Sequence, residues 1–502
     1  MNIIKFISFS QLLVFIASCN VHASLSKDID DWLKVQVPFS TIKIKNSIHP
    51  PNSVNGILIA ATAKTDNSEP DYLSHWTRDS ALVMDTLLSL YEKSWGSEQQ
   101  AYENLFWDYA ILSGKQQKMG PCQPYIKYEC EAKGGPGEPR YFLDGTIWRF
   151  GWGRLQNDGP GLRASTLMRF ANLYIQKTGD VEKVKNILYT PSNFQSVIKA
   201  DLEYIAHNWY NKCFDIWEEI DAHHFYTRMV IRRALLDGAS FAKKFNDAGA
   251  AGYYTLQVKN LEKSLEAHWN ETGGYIMEQI ELNSTPERPR TQRNIATILA
   301  ILHSYNHQED FYSPISDKVL STVLQLQLDF LNEKTYEINQ IKFDSNNLPL
   351  GVSVGRYLTD LYNGTIYDSP DHSKDEGNPW FLTTLAVSEL YYKAALLFQS
   401  KPVTITKLNL PFFEFIGADM SKLELDKTYQ PNSEQSNNIV SRLLVSAENT
   451  VRTVKKYVGG SPGTMKEQFS RHNGKQLSAP NLTWSYASVL SVDYYRNVIK
   501  NS

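Results

Sequence analysis

Two adjacent acids, Glu218 and Glu219, follow Trp217 in the stretch DIWEEIDAHHF, just before a segment of helical periodicity. Another acid, Glu467, stands beside Gln468 and precedes a second helix far along the chain. Hydrolysis of a glycosidic bond needs one carboxyl group that protonates the leaving oxygen and another that activates water or attacks the sugar. Trp217 can exclude water from Glu218 and so favour its protonated form. These residues therefore predict an acid at Glu218 and a base at Glu467.

Further residues suited to binding chemistry occur in phrases that also stand at the entrance to a predicted helix. The five phrases are HWTRDSALV from His75, GWGRLQNDGPGLRAS from Gly151, DIWEEIDAHHF from Asp215, GRYLTDLY…GNPWFL from Gly355 and EQFSRHNG…NLTWSYASV from Glu467. Helix-start chemistry supports this placement, since Asn378 precedes Pro379 and Asn481 can cap the last helix. Taken singly, each acid or arginine could equally serve a structural role, in an ion pair or as a partner of the helix dipole. Because all five phrases stand at the start of a predicted helix, they predict one shared pocket.

Helical periodicity dominates the chain, and sustained strand alternation is scarce. Helices are predicted over 78–94, 98–113, 161–177, 194–209, 223–246, 250–269, 291–306, 315–331, 379–399, 436–456 and 481–497. No low-complexity tract and no linker rich in Ser, Thr or Pro interrupts them. The pattern predicts an all-α fold with a single large domain.

The spacing of the phrases predicts how the helices are arranged. From Trp76 to Trp152, Glu218, Arg356 and Glu467, the steps are 76, 66, 138 and 111 residues. A step of about 70 residues suits two helices with their loops, and the longest step leaves room for one more pair around RPRTQRNIATILAIL. Six helical hairpins closed into a ring would gather all these loops at one end. We therefore expect a toroid of inner and outer helices.

Composition excludes some classes of partner. The 502 residues are 42% hydrophobic and 21% charged, which is typical of a globular protein. A net charge of −3 offers no basic surface for nucleic acid or for an anionic membrane. The 11 Trp, 28 Tyr and 22 Phe residues supply flat apolar faces with polar edges, which suit a sugar ligand.

The N-terminal stretch MNIIKFISFSQLLVFIASCNVHA has the pattern of a secretory signal. A lysine precedes an apolar run, and a small-residue cleavage site ends at Ala23, so residues 1–23 are predicted to be removed and 24–502 to form the mature catalytic domain. The run is shorter than a membrane-spanning helix requires, so no span is expected. An alternative is processing at Cys19 after IAS, which would leave a lipid-anchored protein.

Cysteine and histidine spacing gives no metal site. Cys122 and Cys130 could close a small loop in an oxidising compartment, which would leave Cys213 as a buried or free thiol. Neither the cysteines nor their neighbours supply a four-ligand zinc set. His223 and His224 have no partner carboxylate at the spacing of a triad or a metal site and are expected to be structural. We predict no metal and no cofactor.

Taken together, the phrases resemble one family. WTRDSAL, GRLQNDGP, DIWEE, GRY, GNPWFL and EQ…LTWSYA follow the order found in the glucoamylases, glycoside hydrolase family 15, from Tyr72 to Tyr486. Six ordered phrases form a specific signature, whereas any one of them would be weak. The resemblance implies an (α/α)6 barrel and an inverting, exo-acting glucan hydrolase. Since the chain ends 18 residues after Trp484, no separate starch-binding domain is expected.

The resemblance also implies roles for individual residues. Glu218 takes the position of the general acid and Glu467 that of the general base, while Arg78 and Asp79 match the pair that holds the non-reducing-end sugar. The other positions matching sugar-contacting residues of the family are Tyr72, Trp76, Trp152, Trp217, Glu219, Arg356, Tyr362, Trp380, Gln468 and Trp484.

The expected function follows from this resemblance. The protein would be a secreted monomer that releases β-glucose from the non-reducing ends of starch, glycogen and maltooligosaccharides. It would cleave α-1,4 links faster than α-1,6 links. Two alternatives remain open: a related hydrolase acting on trehalose or dextran, and an inactive glucan-binding protein.

Overall fold

The computed structural model describes residues 25–66, 69–121, 131–282, 290–306, 309–364 and 376–501. The predicted signal segment, Cys19 and the predicted Cys122–Cys130 disulfide lie outside these residues. The described chain forms α1 Lys27–Asn46, α2 Thr77–Lys93, α3 Gly96–Gln116, α4 Asp158–Thr178, α5 Val181–Ile187, α6 Val197–Asn208, α7 Phe225–Lys244, α8 Ala248–Glu266, α9 Ala296–Ser304, α10 Asp317–Asn332, α11 Phe381–Phe398, α12 Leu410–Phe415, α13 Glu434–Val458 and α14 Thr483–Lys500.

Six of these helices form a closed inner ring. Helix α2 packs against α4, α4 against α7, α7 against α9, α9 against α11, α11 against α14, and α14 returns to α2. The long helices that alternate with them along the chain, α1, α3, α6, α8, α10 and α13, form the outer layer. The all-α prediction and the (α/α)6 prediction are therefore confirmed.

Side-chain patterning separates the two layers. The inner helix α11 carries buried side chains on all sides, whereas the outer helix α13 is buried along one stripe and polar on the other. Of the described helices, Phe381–Phe398 is the one long and apolar enough to cross a membrane, and 94% of it is buried inside the fold. Such burial is typical of a helix in a protein core.

The strands are short and lie in the loops. They are β1 His75–Trp76, β2 Arg140–Tyr141, β3 Cys213–Phe214, β4 Asp221–His224, β5 Trp269–Asn270, β6 Tyr275–Ile276, β7 Gln279–Ile280, β8 Val403–Thr404, β9 Thr428–Tyr429, β10 Gln468–Phe469 and β11 Gln476–Leu477. They pair antiparallel as β1–β2, β3–β4–β7, β5–β6, β8–β9 and β10–β11. Strands β1, β4 and β10 adjoin residues of the predicted pocket, so these pairings fix its loops.

Every predicted helix is present, although the predicted range 291–306 begins too early. Helix α9 starts at Ala296 because the preceding segment is extended and Asn294 bridges to Tyr357. The Asn294 side chain also accepts a hydrogen bond from the Ala296 amide at 3.0 Å. An amide side chain that caps a helix in this way terminates it on the N-terminal side.

Candidate active site

The predicted pocket lies at the N-terminal ends of the inner helices. One cavity of about 260 Å³ is lined by thirteen of the fourteen residues predicted from sequence: Tyr72, Trp76, Arg78, Asp79, Trp152, Trp217, Glu218, Glu219, Arg356, Tyr362, Trp380, Glu467 and Trp484. Ala60, Gly153, Ile216 and Leu482 complete the lining. Residues more than four hundred positions apart thus share one site, as the ring arrangement predicts.

Glu218 occupies a tight turn between β3 and β4. Its backbone has φ of +67°, in the left-handed region that few residues other than glycine adopt. Asp215 holds this turn, since its carboxylate accepts the amides of Glu219 at 2.7 Å and Ile220 at 2.9 Å. Arg290 pairs with the other oxygen of Asp215 at 2.8 Å. The strained backbone therefore directs the Glu218 side chain into the cavity from a buried, fixed base.

Three donors converge on one oxygen of the Glu218 carboxyl group. Oε1 accepts from the Trp76 indole at 2.9 Å, from Nη2 of Arg78 at 3.2 Å and from Nε2 of Gln156 at 3.1 Å. Oε2 receives no hydrogen bond from the described residues. The Trp217 indole donates to Asn294 at 3.0 Å. Because Oε1 of Glu218 accepts all three hydrogen bonds, a proton on the Glu218 carboxyl group is placed on Oε2.

Glu467 is more deeply buried, with 2% of its surface exposed. Burial raises its pKa to about 7, although hydrogen bonds from Ser478 and Tyr362 oppose the shift. Ser478 and Gln468 both donate to Oε2 of this carboxyl group. A carboxylate poised near neutrality is suited to accept a proton from water.

Gln468 is the one predicted residue that does not line the cavity. Its side chain is fully buried behind Glu467, donating to it at 3.2 Å and accepting from Nδ2 of Asn378 at 3.1 Å. Glu467 directly precedes the short strand β10 and lines the cavity. Gln468, the first residue of β10, faces the protein interior and supports the site through Glu467 and through its backbone bridge to Trp380.

Arg78 and Asp79 lie in the first turn of α2. Nη1 of Arg78 donates to Gln156 at 2.8 Å and to Asp158 at 3.1 Å, and its Nε lies 3.6 Å from Asp79. Burial raises the pKa of Asp79 to about 6, and Arg78 offsets part of that shift. The buried cation and acid give the cavity paired donor and acceptor groups, which suit sugar hydroxyls.

Glu219 belongs to a second charged network on the other side of the turn. Its Oε1 lies 2.7 Å from Nη2 of Arg356, and its Oε2 accepts from the Tyr357 hydroxyl at 2.7 Å and pairs with Arg290. Arg356 is fixed in turn by a bidentate pair with Asp360 at 2.6 and 2.8 Å. Two arginines and one hydroxyl thus fix the position of Glu219 at the cavity edge.

Aromatic rings form the walls of the cavity. Ring centroids lie 5.4 Å apart for Tyr72 and Trp76, and 5.9 Å apart for Trp76 and Trp152. On the opposite side, Trp380 lies 5.6 Å from Trp217 and 6.0 Å from Tyr362. Such edge-to-face contacts fix each ring and leave flat faces for apolar sugar surfaces.

Arg140 supports one of these walls from behind. Its guanidinium lies 4.2 Å from the ring centroid of Trp76, 3.7 Å from Trp148 and 4.5 Å from Trp152. Burial lowers its pKa to about 10. Ser74 and the Asp71 carbonyl accept from its Nη2 at 3.1 Å. The cation therefore holds together two rings that line the cavity and one that does not.

Several functional positions escaped the sequence reasoning. Gln156 and Asp158 lie within the phrase GRLQNDGP and could have been found there, since amide and acid side chains recur beside buried arginines. Arg140, Arg290 and Ser478 had no such signal, because each reaches the site from a loop outside the conspicuous phrases.

Other predictions about polar residues have mixed outcomes. Cys213 is a buried free thiol, which is one of the two states expected. His223 and His224 lie 3.4 Å from Glu281 and 3.1 Å from Glu278, carboxylates that spacing along the chain did not indicate, and their structural role stays a prediction. The β4–β7 pairing brings these residues together from distant positions. Within the described ranges, no group of three His, Cys, Asp or Glu residues could hold a metal ion.

Carboxyl groups that line a cavity with tryptophan walls are suited to the hydrolysis of a glycosidic bond. The fold and the site together therefore place the protein among the glycoside hydrolases. Sequence comparison identifies the family within this class. The family model of glycosyl hydrolases family 15 matches residues 42–494, and the chain belongs to that family.

Individual relatives agree with this assignment. The chain is 33% identical over 487 residues to a glucoamylase of Blastobotrys adeninivorans, covering 95% of this chain and 74% of the relative. It is 32% identical to glucoamylase 1 of Rhizopus oryzae, covering 93% and 71%.

Solved structures are similar as well. The glucoamylase of Saccharomycopsis fibuligera superposes with a TM-score of 0.78 at 27% identity, covering 96% of this chain and 99% of that one. The family 15 glucoamylase of Hypocrea jecorina gives 0.78 at 26% identity, covering 94% and 73%. The predicted resemblance to the glucoamylases is thereby confirmed.

Proposed function

We propose that this glucoamylase-family hydrolase removes single glucose units from the non-reducing ends of α-glucans with inversion, releasing β-glucose. The observation that carries the proposal is the pair of carboxyl groups, Glu218 and Glu467, that line one small cavity. They come from different parts of the helical ring and have separate hydrogen-bond partners. Their surroundings therefore differ, as acid and base roles require.

In the proposed step, Glu218 gives the proton on Oε2 to the glycosidic oxygen as the bond to the sugar's anomeric carbon breaks. Glu467 takes a proton from a water that adds to that carbon from the opposite face. One bond to oxygen is broken and one is formed, so the products are β-glucose and a chain shortened by one unit. Glu218 leaves the step ionised, and its three donors on Oε1 stabilise that state.

Arg78 and Asp79 select the terminal sugar. Arg78 supplies a buried donor group and Asp79 an acceptor, so a sugar lacking the matching hydroxyl would leave one of them unpaired. Trp76 and Trp152 offer faces against which successive sugars stack. The preferred substrates are soluble maltooligosaccharides, starch and glycogen, with α-1,4 links cleaved faster than α-1,6 links.

Proton NMR of maltoheptaose digestion tests this function. In the first minutes, β-glucose and maltohexaose should appear together. Glu218→Gln and Glu467→Gln keep the side-chain shape and remove proton transfer, so each should lower kcat by ~10²–10⁴-fold while substrate still binds. Initial α-glucose would contradict inversion, and early maltotriose with maltotetraose would contradict an exo-acting pocket.

Two alternatives are outcomes of the same assays. Faster turnover of trehalose or isomaltose than of maltose would assign the site to a related hydrolase. Absence of turnover on all of these sugars, with binding retained, would assign the chain to the glucan-binding proteins. The retention of both carboxyl groups at one cavity favours the hydrolase.

The proposal extends to processing and assembly. Residues 1–23 direct the protein out of the cell, and residues 24–502 act as one catalytic domain and as a monomer, without nucleic acid, membrane span or cofactor. Mass spectrometry of the exported protein should find Ser24 first. A lipid on Cys19 would instead support the anchored form.

A further inference from the structure

The inner helices enclose a second cavity behind the active site. It measures about 680 Å³, against about 260 Å³ for the catalytic cavity. Its lining comes from positions further along each inner helix, such as Ser165 on α4 and Ser240 on α7. The active site therefore occupies the N-terminal mouth of the barrel and this cavity the C-terminal mouth. Trp484 lines both cavities.

Charged side chains of both signs line this second cavity in pairs. Arg169 pairs with Asp85, Arg233 pairs with Asp237, and Lys393 lies 2.8 Å from Glu389. These six residues balance one another in charge. Lys244 also lines the cavity, so the lining has four cationic and three anionic side chains, and an excess of one charge gives no strong field that would concentrate a free ion.

Additional donors and acceptors remain on the same wall. The ammonium group of Lys244 donates to the side-chain oxygen of Asn172 at 2.9 Å. Nη1 of Arg233 is buried without a hydrogen bond in the described structure and lies 3.8 Å from Glu309. Each carboxylate can also accept several hydrogen bonds at once. The cavity wall can therefore both donate hydrogen bonds to a ligand and accept hydrogen bonds from it.

The interior of the cavity is apolar. Leu82, Leu162, Leu299 and Leu382 come from four different inner helices, and the Trp484 ring adds a flat aromatic surface. A ligand that fits must present apolar patches inward and polar groups towards the paired charges. An alkyl chain would pack against the leucines but would offer no hydrogen bond to the buried Nη1 of Arg233, which is costly.

We infer that the second mouth is a binding site for a neutral polyhydroxylated ligand, a saccharide of one or two units. Sugar hydroxyl groups both donate and accept hydrogen bonds, so they can pair with the carboxylate, guanidinium and amide groups that line the cavity. The C–H face of a sugar ring suits the leucines and the indole. A volume of about 680 Å³ lies within the range of small-molecule sites. The site is separate from the proposed catalytic one.

Counting bound maltose by equilibrium dialysis tests the inference. Glu467→Gln serves as the background, because it slows hydrolysis by ~10²–10⁴-fold in the proposed mechanism while maltose still binds. Ser165→Trp and Ser240→Trp, made separately in that background, place an indole into the second cavity from different helices. Each should reduce the number of maltose molecules bound by one. Gln176→Trp, at an exposed position on α4 outside the cavity, should leave the number unchanged.

The outcomes separate this inference from the proposed function. An unchanged count in folded Ser165→Trp and Ser240→Trp proteins would overturn the second site, whatever the catalytic site does. A loss of one maltose in either folded protein supports it, even if maltose proves to be a poor substrate. Far-ultraviolet circular dichroism shows which variants are folded. Because the two serines lie on different helices, misfolding of one variant leaves the other to decide.

Discussion

At the scale of single residues, Glu467, the base of the proposed mechanism, depends on its hydrogen-bond donors for its ionised form. Burial raises its pKa to about 7, and the Ser478 hydroxyl lowers it again by donating to Oε2. A base acts in its ionised form, so its pKa sets the acidic limb of the pH profile. Donors that favour the carboxylate therefore extend activity to lower pH.

Replacing Ser478 should shift the acidic limb of the pH–activity profile. Ser478→Ala removes a donor that favours the carboxylate, so the pKa of Glu467 rises and the acidic limb of kcat/KM shifts to higher pH. Ser485→Ala removes a buried hydroxyl that donates to the Lys466 carbonyl instead, and its profile should match the parent. The pH dependence of initial rates on maltose measures both. A limb that stays in place in Ser478→Ala would exclude this role.

Arg140 should matter although it does not line the cavity. Arg140→Met removes the cation between Trp76, Trp148 and Trp152, and a buried cation–π contact contributes ~1–2 kcal/mol. We expect kcat/KM to fall by ~10-fold or more, since Trp76 also donates to Glu218. Arg140→Lys keeps the charge and should recover part of the loss.

A control variant and the choice of assay temperature separate the positioning role of Arg140 from general destabilisation. Arg149→Met provides the matched control, because Arg149 is exposed and lies 5.3 Å from the ring of Phe150 alone. Steady-state kinetics on maltose at a temperature well below each midpoint of unfolding gives the comparison. Equal activity in Arg140→Met and Arg149→Met would contradict the positioning role.

Sequence reasoning located the acids and missed their supports for a physical reason. Glu218 and Glu467 stand in phrases whose composition is unusual along the chain itself. Ser478 reaches Glu467 across eleven positions that include the paired strands β10 and β11, and Arg290 reaches Glu219 across seventy-one. Such contacts depend on the path of loops in space, and neither periodicity nor capping patterns specify that path.

At the scale of elements, α1 shows where helix prediction from periodicity fails. It has Pro38 in its interior and several β-branched residues, both unfavourable for an isolated helix. Tertiary contacts compensate: Asp28 lies 3.0 Å from Arg452 of α13, and Asp30 pairs with Arg496 of α14. Helix α1 also buries an apolar stripe that includes Ile29, Trp32, Leu33 and Ile44, and these ion pairs add partners over four hundred residues away.

The buried partner of α1 offers a stability test. Arg496 is 1% exposed and binds Glu448 at 2.8 Å as well as Asp30. Arg496→Met would leave Glu448 buried without its cation, so the free energy of unfolding should fall by ~3–5 kcal/mol. Lys34→Met on α1 breaks an exposed pair with Asp31 and should cost under ~1 kcal/mol. Urea denaturation compares them, and equal losses would contradict the buried network.

At the scale of the whole molecule, the two ends of the barrel differ in electrostatic character. The inner helices direct their N-termini, with partial positive charge, towards the catalytic mouth, where the carboxyl groups of Asp79, Glu218, Glu219 and Glu467 gather. Basic residues occupy the last turns at the other end, including Lys93 of α2 and Lys177 of α4. The ring therefore favours acids at one mouth and cations at the other.

Closure of the ring joins distant parts of the chain. The amide of Thr483, at the start of α14, donates to the Ala60 carbonyl at 2.8 Å, and the amide of Thr62 donates to the Pro480 carbonyl at 3.3 Å. The phrase spacing predicted a ring, but the sequence carries no signal for which backbone groups close it. These contacts form only once both ends of the described chain are present.

The ion pair between Lys500 and Asp30, at 3.0 Å, places the end of α14 beside the start of α1. A closed circle of helices has no structural beginning, so the order of synthesis should be dispensable. A circular permutant that joins residue 500 to residue 27 by a short Gly/Ser linker, and opens at the exposed turn 192–195, should fold and hydrolyse maltose. The matched permutant opened within buried α11 should be insoluble. Loss of folding in both would show that the native chain order is required, and thermal melts with activity assays distinguish these results.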